Sequence, residues 1–143
     1  MMTSPITGDP LVTSVLLHVT VVPGDLDASL VFYDAALASL GIARYSDFSD
    51  EEEAGAPIDA VGYGAPGADP VLWVVAGLTR TTGSHLAIAA SSRTAVEEFW
   101  RDGLGAGGAA QQAPRAWEIY RKGYFGAILG DPDGNLIEAV ATE

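Results

Sequence analysis

Three side chains that can bind a metal ion are spread along this sequence: His18, His85 and Glu138. They include both histidines of the chain, which has no cysteine. Two imidazoles and one carboxylate that leave other coordination positions open form a recognised site for a divalent cation. Such a site activates a bound oxygen as a Lewis acid. We therefore expect these three residues to hold one divalent ion, which can be Fe, Mn, Ni or Zn.

Glu138 follows a turn signal near the end of the chain. Residues 131–135 read Asp-Pro-Asp-Gly-Asn between two apolar runs, and Gly134 can adopt the positive φ that a tight turn needs. The segment therefore predicts a β-hairpin. In its second strand Glu138 shares a face with Leu136 and Val140. An ionised carboxylate on an apolar face is costly unless a cation or several donors compensate it, which supports a metal ligand.

The two histidines lie 67 residues apart, and this offset also reveals an internal repeat. The same offset aligns four further pairs of identical residues: Ala28 with Ala95, Phe32 with Phe99, Leu37 with Leu104, and Gly41 with Gly108. A lone strand histidine is more often a hydrogen-bonded structural residue, and the shared register is what favours a metal site. If the halves pair by pseudo-twofold symmetry, His18 and His85 face each other across a concave sheet that Glu138 can join.

The elements that position these residues follow the order βαβββ in each half. Strands are predicted at 11–22, 42–48, 58–64 and 71–76, with a helix capped by Asp25 or Asp27 that runs to about Leu40. The second half predicts strands at 84–90, 115–120, 124–129 and 135–140, and a helix that opens with a capping box at 94–97. The fold class is thus α+β: a single domain, 1–143, with module 1 at about 11–77 and module 2 at about 83–142.

Composition argues against several classes of partner. The 143 residues are 48% hydrophobic and 18% charged, as in a globular domain. Nineteen acidic and 7 basic residues give a net charge of −12, which repels nucleic acid and anionic membranes. The sequence shows neither an export signal nor an apolar run of transmembrane length. We expect a cytoplasmic protein that binds a small-molecule substrate.

Over about residues 11–142 the chain resembles the vicinal oxygen chelate superfamily, also called the glyoxalase/bleomycin-resistance/extradiol-dioxygenase superfamily. The resemblance is carried by segments 17–20, 29–41, 85–88 and 124–138, above all by the Asp-Pro-Asp-Gly-Asn-x-x-Glu element that ends at Glu138. It implies paired βαβββ modules that form an open, cup-like mixed sheet with the helices outside. It also implies His18, His85 and Glu138 as metal ligands, a small oxygen-chelating substrate, and a homodimer.

One departure from the family pattern bears on the reaction. Glyoxalase-type members place a second carboxylate on the fourth strand, but the repeat offset carries Glu138 to Val71, and residues 71–82 contain no acid. An isomerase of the methylglyoxal type is therefore disfavoured. Ring-cleaving dioxygenases use two histidines and one glutamate, yet they generally carry a further histidine for acid–base work. Lyase, isomerase and dioxygenase chemistry all remain open.

The remaining site residues follow from this assignment. We expect Tyr124, next to the hairpin, to transfer protons together with Glu138, and four residues to bind substrate: Tyr63, Trp73, Tyr120 and Arg121. An alternative is a metal-independent protein that sequesters a small molecule or antibiotic between aromatic walls, and another is an accessory subunit without activity. The modules can pair within one chain or between two chains. In the second case His18 meets His85 and Glu138 of a partner.

Overall fold

A computed structural model describes residues 16–48, 59–77, 79–119 and 121–142. The described residues form two βαβββ units, as predicted. The first contains β1 (Val19–Val21), α1 (Leu26–Ala38), β2 (Ala43–Phe48), β3 (Ala60–Gly64) and β4 (Leu72–Val75). The second contains β5 (His85–Ala89), α2 (Arg93–Gly105), β6 (Ala109–Ala116), β7 (Phe125–Gly130) and β8 (Leu136–Ala141).

Each unit builds one open mixed sheet with the same topology. The strand orders are β1-β4-β3-β2 and β5-β8-β7-β6, so the first strand of each unit is an edge and pairs in parallel with the last. The other pairings are antiparallel. The predicted α+β class with two βαβββ modules is confirmed.

The helices lie against one face of the sheets and against each other. They contribute Phe32, Leu37 and Phe99 to a shared core that also contains Val74 of β4 and Ile137 of β8, all fully buried. Burial of this apolar surface is the main force that joins the modules. The opposite face of each sheet is left open. Neither described helix is long and apolar enough to cross a membrane.

The two helices begin at side-chain caps. Asp25 accepts a hydrogen bond from the backbone N–H of Ala28 and caps α1, as predicted. The predicted capping box at 94–97 is wrong. The hydroxyl of Ser92 instead accepts from the N–H of Ala95, so α2 begins before Thr94 and takes that residue into its first turn.

Two strands differ from their predicted bounds by more than two residues. The predicted first strand, 11–22, falls partly outside the described residues, and within 16–22 only Val19–Val21 is strand because pairing with β4 starts opposite Leu72. The strand predicted at 115–120 is β6, Ala109–Ala116. Register shifts on both sides of Gln112 break the alternation of β6, and Pro114 lies within it. Because of those features, β6 lacks the two-residue alternation by which a strand is recognised in a sequence.

Candidate metal centre

His85 and Glu138 lie side by side on the open face of the second sheet. β5 and β8 run parallel, and Nε2 of His85 lies 2.9 Å from Oε1 of Glu138. The other carboxylate oxygen, Oε2, accepts a hydrogen bond of 3.0 Å from the hydroxyl of Tyr124. The Glu138 side chain is only 12% exposed, whereas that of His85 is 49% exposed. The predicted grouping of Tyr124, His85 and Glu138 is thus present within one chain.

The hairpin turn fixes this pair of strands in register. Asn135, buried at the start of β8, accepts hydrogen bonds from the backbone N–H of Ser84 at 3.1 Å and from its hydroxyl at 2.9 Å. Its amide nitrogen donates to the carbonyl oxygen of Thr81 at 2.9 Å. Since Ser84 precedes His85, these bonds fix the position of His85 along β5 relative to Glu138 on β8.

Asp131 closes the turn and ties it to the first module. Its carboxylate accepts bonds from the backbone N–H groups of Asp133 and Asn135, at 2.8 and 2.9 Å. Oδ2 of Asp131 also accepts a 2.6 Å bond from the hydroxyl of Tyr33 on α1. Burial, and then the charge of Asp131, raise the pKa of Tyr33 well above its usual range. Gly134 adopts a φ of +89°, which favours glycine at this position.

A pocket of about 360 Å³ opens in front of this cluster. Its walls combine the three clustered residues with side chains of β6, β7, β8 and the segment after β6: Gln111, Gln112, Trp117, Ile128 and Leu136. Arg115 lies over the ring of Trp117, with Cζ 3.8 Å from the ring centroid. Both glutamines lie outside the strand predicted at 115–120, so the sequence did not indicate them as pocket residues.

His18 lies on the other module. It is exposed, immediately before β1, and alternation along the strand places it on the same side as Thr20, which is exposed too. Among the described residues, no group of three or more histidine, aspartate or glutamate side chains is close enough to hold a metal ion. A single chain therefore presents His85 with Glu138 on one open face and His18 on the other module.

The four predicted substrate-binding residues differ in placement. Trp73 is half-buried on β4 and Arg121 is exposed in the turn before Tyr124, outside the walls of the pocket. Tyr120 lies outside the described residues. Tyr63 is fully buried, its hydroxyl donates to Asp34 at 2.9 Å, and its ring contacts Tyr33. The prediction that Tyr63 contacts substrate is wrong in this arrangement, because its side chain points into the core.

Strand pairing also corrects the comparison of the modules. The repeat offset predicted Val71 as the counterpart of Glu138. In the structure, β1 pairs with β4 so that Thr20 lies beside Trp73, and β5 pairs with β8 so that Ala87 lies beside Glu138. Trp73 is therefore the counterpart of Glu138. The ungapped offset was wrong here because the segments between the paired strands differ in length, although the conclusion that no acid occupies this position holds.

The donor set in the second module fits a divalent cation. Nε2 of His85 and Oε1 of Glu138 are separated by 2.9 Å, the distance of a hydrogen bond, so the two atoms converge on one point of the open face. Imidazole and carboxylate are ligands that Mn, Fe, Ni and Zn accept. One further ligand from His18 would complete the predicted set.

Solved structures of similar fold come from several organisms. A glyoxalase/bleomycin resistance protein from Albidiferax ferrireducens T118 is 28% identical, with a TM-score of 0.72 over 91% of this chain and 100% of that one. A glyoxalase/bleomycin resistance protein/dioxygenase family enzyme from Burkholderia phytofirmans PsJN is 18% identical, with a TM-score of 0.63 and coverages of 91% and 100%.

The fosfomycin resistance protein FosX from Listeria monocytogenes, solved as a mutant with Mn(II) and 1S,2S-dihydroxypropylphosphonic acid, is also similar. It is 18% identical, with a TM-score of 0.64 over 91% of this chain and 93% of that one. No protein-family model matches the chain, and no curated protein sequence matches it significantly. The chain thus has the vicinal oxygen chelate fold, that of the glyoxalase/bleomycin resistance/dioxygenase superfamily, as its sequence resemblance predicts.

Proposed function

We propose that this protein is a divalent-metal-dependent enzyme of the vicinal oxygen chelate type, acting on a small substrate that offers two neighbouring oxygens. The observation that carries the proposal is the 2.9 Å contact between His85 Nε2 and Glu138 Oε1 on an open sheet face. His18, His85 and Glu138 would hold the ion, which would supply Lewis-acid polarisation of the substrate oxygens. The FosX structure with Mn(II) is a precedent for a divalent ion in this fold.

We further propose that two chains share the site. Within one chain His18 is not grouped with His85 and Glu138, yet both modules expose the face that carries their candidate ligands. In a twofold-symmetric dimer, His18 of one copy can meet His85 and Glu138 of the other, and the symmetry creates two such sites. Leu17 next to His18 is 73% exposed, and Val71 is 45% exposed, so contact with a partner would bury apolar surface.

The residues around the site have the following proposed roles. Tyr124 holds Oε2 of Glu138, which leaves Oε1 directed toward His85. The same hydroxyl lines the pocket and can transfer a proton at its oxygen. Trp73 and Arg121 remain proposed substrate contacts, and Tyr120 is a prediction outside the described residues. The location of the protein in the cytoplasm also stays a prediction.

The reaction class follows from the number of carboxylates. With Trp73 at the position equivalent to Glu138, the described residues of the proposed site include one carboxylate and no second one for proton abstraction. Ring-opening dioxygenase or lyase chemistry therefore suits it better than methylglyoxal-type isomerisation. Screening catechols, epoxide antibiotics and 2-oxoaldehyde–thiol adducts with Fe(II), Mn(II), Ni(II) and Zn(II) would distinguish these classes.

Metal analysis of untagged protein tests the proposal. We expect about one divalent ion per chain. The ion should be lost from His18→Ala, His85→Ala and Glu138→Ala and retained by Glu97→Ala, which removes an exposed carboxylate on α2. Wild-type protein that binds no divalent ion with useful affinity, or full metal content in all three ligand variants, would contradict the proposal.

A second candidate is a metal-independent binding protein. The stacked Arg115 and Trp117 beside the pocket favour it, because this pair offers a flat surface and a positive charge to an anionic or aromatic ligand. Such a protein would bind its ligand equally well after chelation of all metal. In the metalloenzyme, by contrast, chelation would abolish binding of substrates that coordinate through oxygen.

A further inference from the structure

The only two glutamines of the chain, Gln111 and Gln112, are neighbours in the sequence, and both line the pocket in front of Glu138. Both also belong to one strand, β6. In a regular strand successive side chains point to opposite faces of the sheet, so only one of two neighbours can face a given pocket. The presence of both amides in one pocket wall therefore needs a local departure from regular strand geometry.

The pairing of β6 with β7 contains that departure. Ala110 pairs with Leu129 and Gln112 pairs with Ile128, so two steps along β6 correspond to one step along β7. Gln111 is the additional residue, and it has no partner on β7 in this register. One extra residue in one strand of an antiparallel pair is a β-bulge, which changes the direction of the side chains around it. The bulge accounts for two adjacent amides on the pocket side of β6.

The glutamines lie across the sheet from Glu138. Gln112 is opposite Ile128 on β7, and Ile128 is opposite Glu138 on β8. Residues directly opposite each other share a face, so all three side chains belong to the open face. Since neighbouring strands are about 4.8 Å apart, the backbones of Gln112 and Glu138 are about 10 Å apart. A small molecule whose oxygens lie near Glu138 can therefore reach the glutamines with its far end, over the side chain of Ile128.

The two amides have hydrogen-bonding capacity to offer a ligand. Gln112 donates one amide hydrogen to the carbonyl oxygen of Ala113 at 3.2 Å, which leaves its own side-chain oxygen able to accept. Within the described parts of the chain, the side chain of Gln111 makes no hydrogen bond. Each glutamine amide carries donors and an acceptor in one plane. The described walls of the pocket include no lysine or arginine, so this end of the pocket suits a neutral group better than an anion.

We propose that Gln111 and Gln112 form a specificity subsite for a neutral, amide-like group of the substrate, such as a carboxamide, a lactam or a urea. A group of this class presents a donor and an acceptor side by side, and so complements the two glutamine side chains. This inference rests on the proposed function, which places the reacting oxygens at the other end of the pocket, near His85 and Glu138. The subsite selects the far end of the substrate and takes no part in metal binding.

Three hydroxamates that differ only at the far end of the molecule test this inference. Calorimetric titration of 4-carbamoyl-, 4-acetyl- and 4-carboxybenzohydroxamate into Zn(II)-loaded protein compares an amide, a ketone of the same size and an anion on one chelating group. We expect wild-type protein to bind the carbamoyl probe roughly 5-fold or more tightly than the acetyl probe, because the ketone lacks the N–H donor. The carboxylate probe should bind more weakly than the carbamoyl probe. It tests whether Arg115, stacked on Trp117, selects an anion instead.

Two variants assign the preference to the glutamines. Gln111→Leu and Gln112→Leu should each lose most of the preference for the carbamoyl over the acetyl probe while they keep the Zn(II) affinity of wild type. Glu97→Leu, at an exposed position on α2, is the control and should keep the full preference. Equal binding of the carbamoyl and acetyl probes by wild type, tighter binding of the carboxylate probe, or an unchanged preference in both glutamine variants would overturn the inference.

The same titrations separate this inference from the proposed function. If the glutamine preference is absent but all three probes still require Zn(II) and His85, the inference fails and the proposed function stands. Binding of the probes that is unchanged after chelation of all metal would contradict the proposed function, whatever the preference among the probes. Absence of binding of any probe to Zn(II)-loaded wild type would contradict both.

Discussion

His85 Nε2 and Glu138 Oε1 lie 2.9 Å apart on neighbouring parallel strands, and both side chains belong to the open face of the second sheet. Their backbones are held in register by hydrogen bonds from the hairpin turn, so the pair does not depend on a mobile loop. Preorganised donors of this kind lower the cost of binding a cation, because little conformational freedom remains to be lost. The same residues that make the turn also connect it to α1 of the first module.

Removal of the Tyr124 hydroxyl should weaken metal binding. In Tyr124→Phe, Oε2 of Glu138 loses its 3.0 Å hydrogen bond and the carboxylate is held less firmly. Loss of such a partner typically costs roughly 10–100-fold in metal affinity. Competition with a chelator of known affinity measures the effect. Tyr63→Phe removes a tyrosine hydroxyl that is buried in the core, away from the site, and should leave the metal affinity unchanged. Equal affinities in wild type and Tyr124→Phe would rule out the positioning role.

Substitution of Asn135 should affect both stability and the site. Asn135→Leu removes the hydrogen bonds to the part-buried Ser84 and Thr81 and to the buried Asp131, and a buried group left unsatisfied costs about 1–3 kcal/mol. We expect a lower free energy of unfolding in urea, and weaker metal binding because His85 is no longer fixed against Glu138. Glu97→Leu, at an exposed position on α2 away from the pocket, is the control. Asn135→Leu with wild-type stability would contradict this view of the turn.

Alkaline pH should destabilise the fold through Tyr33. Burial and Asp131 raise its pKa above the ordinary value of 10.0, and burial and Asp34 do the same for Tyr63. Between the unfolded and folded pKa values the native state binds more protons than the unfolded state. The free energy of unfolding is therefore constant near neutral pH and falls above about pH 10, by up to about 1.4 kcal/mol per pH unit for each tyrosine.

Tyr33→Phe separates this effect from other alkaline titrations. The variant should be less stable than wild type at pH 7, because Asp131 loses a buried donor, yet its stability should decline less steeply above about pH 10. Urea unfolding at a series of pH values gives both quantities. An alkaline slope identical to that of wild type would show that Tyr33 does not carry the predicted effect.

Much of the fold was predictable because the relevant signals are local. The turn at 131–135, the alternation around Glu138 and the Asp25 cap depend on neighbouring residues, and the structure contains all three. The bounds of β6 were not predictable in the same way, because its register shifts and Pro114 disturb the two-residue alternation of a strand. The helix cap at Ser92 was missed because Thr94 and Glu97 offered a competing capping pattern.

The candidate site was predictable in part. Sequence alone brought His85, Glu138 and Tyr124 together, because a hairpin and a repeat fix which strands are neighbours. The buried position of Tyr63 and the equivalence of Trp73 with Glu138 depend on which sheet face meets a helix and on the pairing register. Those are tertiary properties. A difference in segment length between the modules is enough to misalign an ungapped repeat.

The most direct test of a shared metal site is the metal content of mixed dimers. Co-expressed His18→Ala and Glu138→Ala chains, purified through two different tags, form a dimer in which one of two sites has all three ligands. We predict that each variant alone binds no ion, whereas this mixed dimer regains about half of the wild-type content. A mixed dimer of His85→Ala and Glu138→Ala has no complete site and should regain none. Equal metal content in both mixed dimers would contradict a site formed by His18 of one copy with His85 and Glu138 of the other.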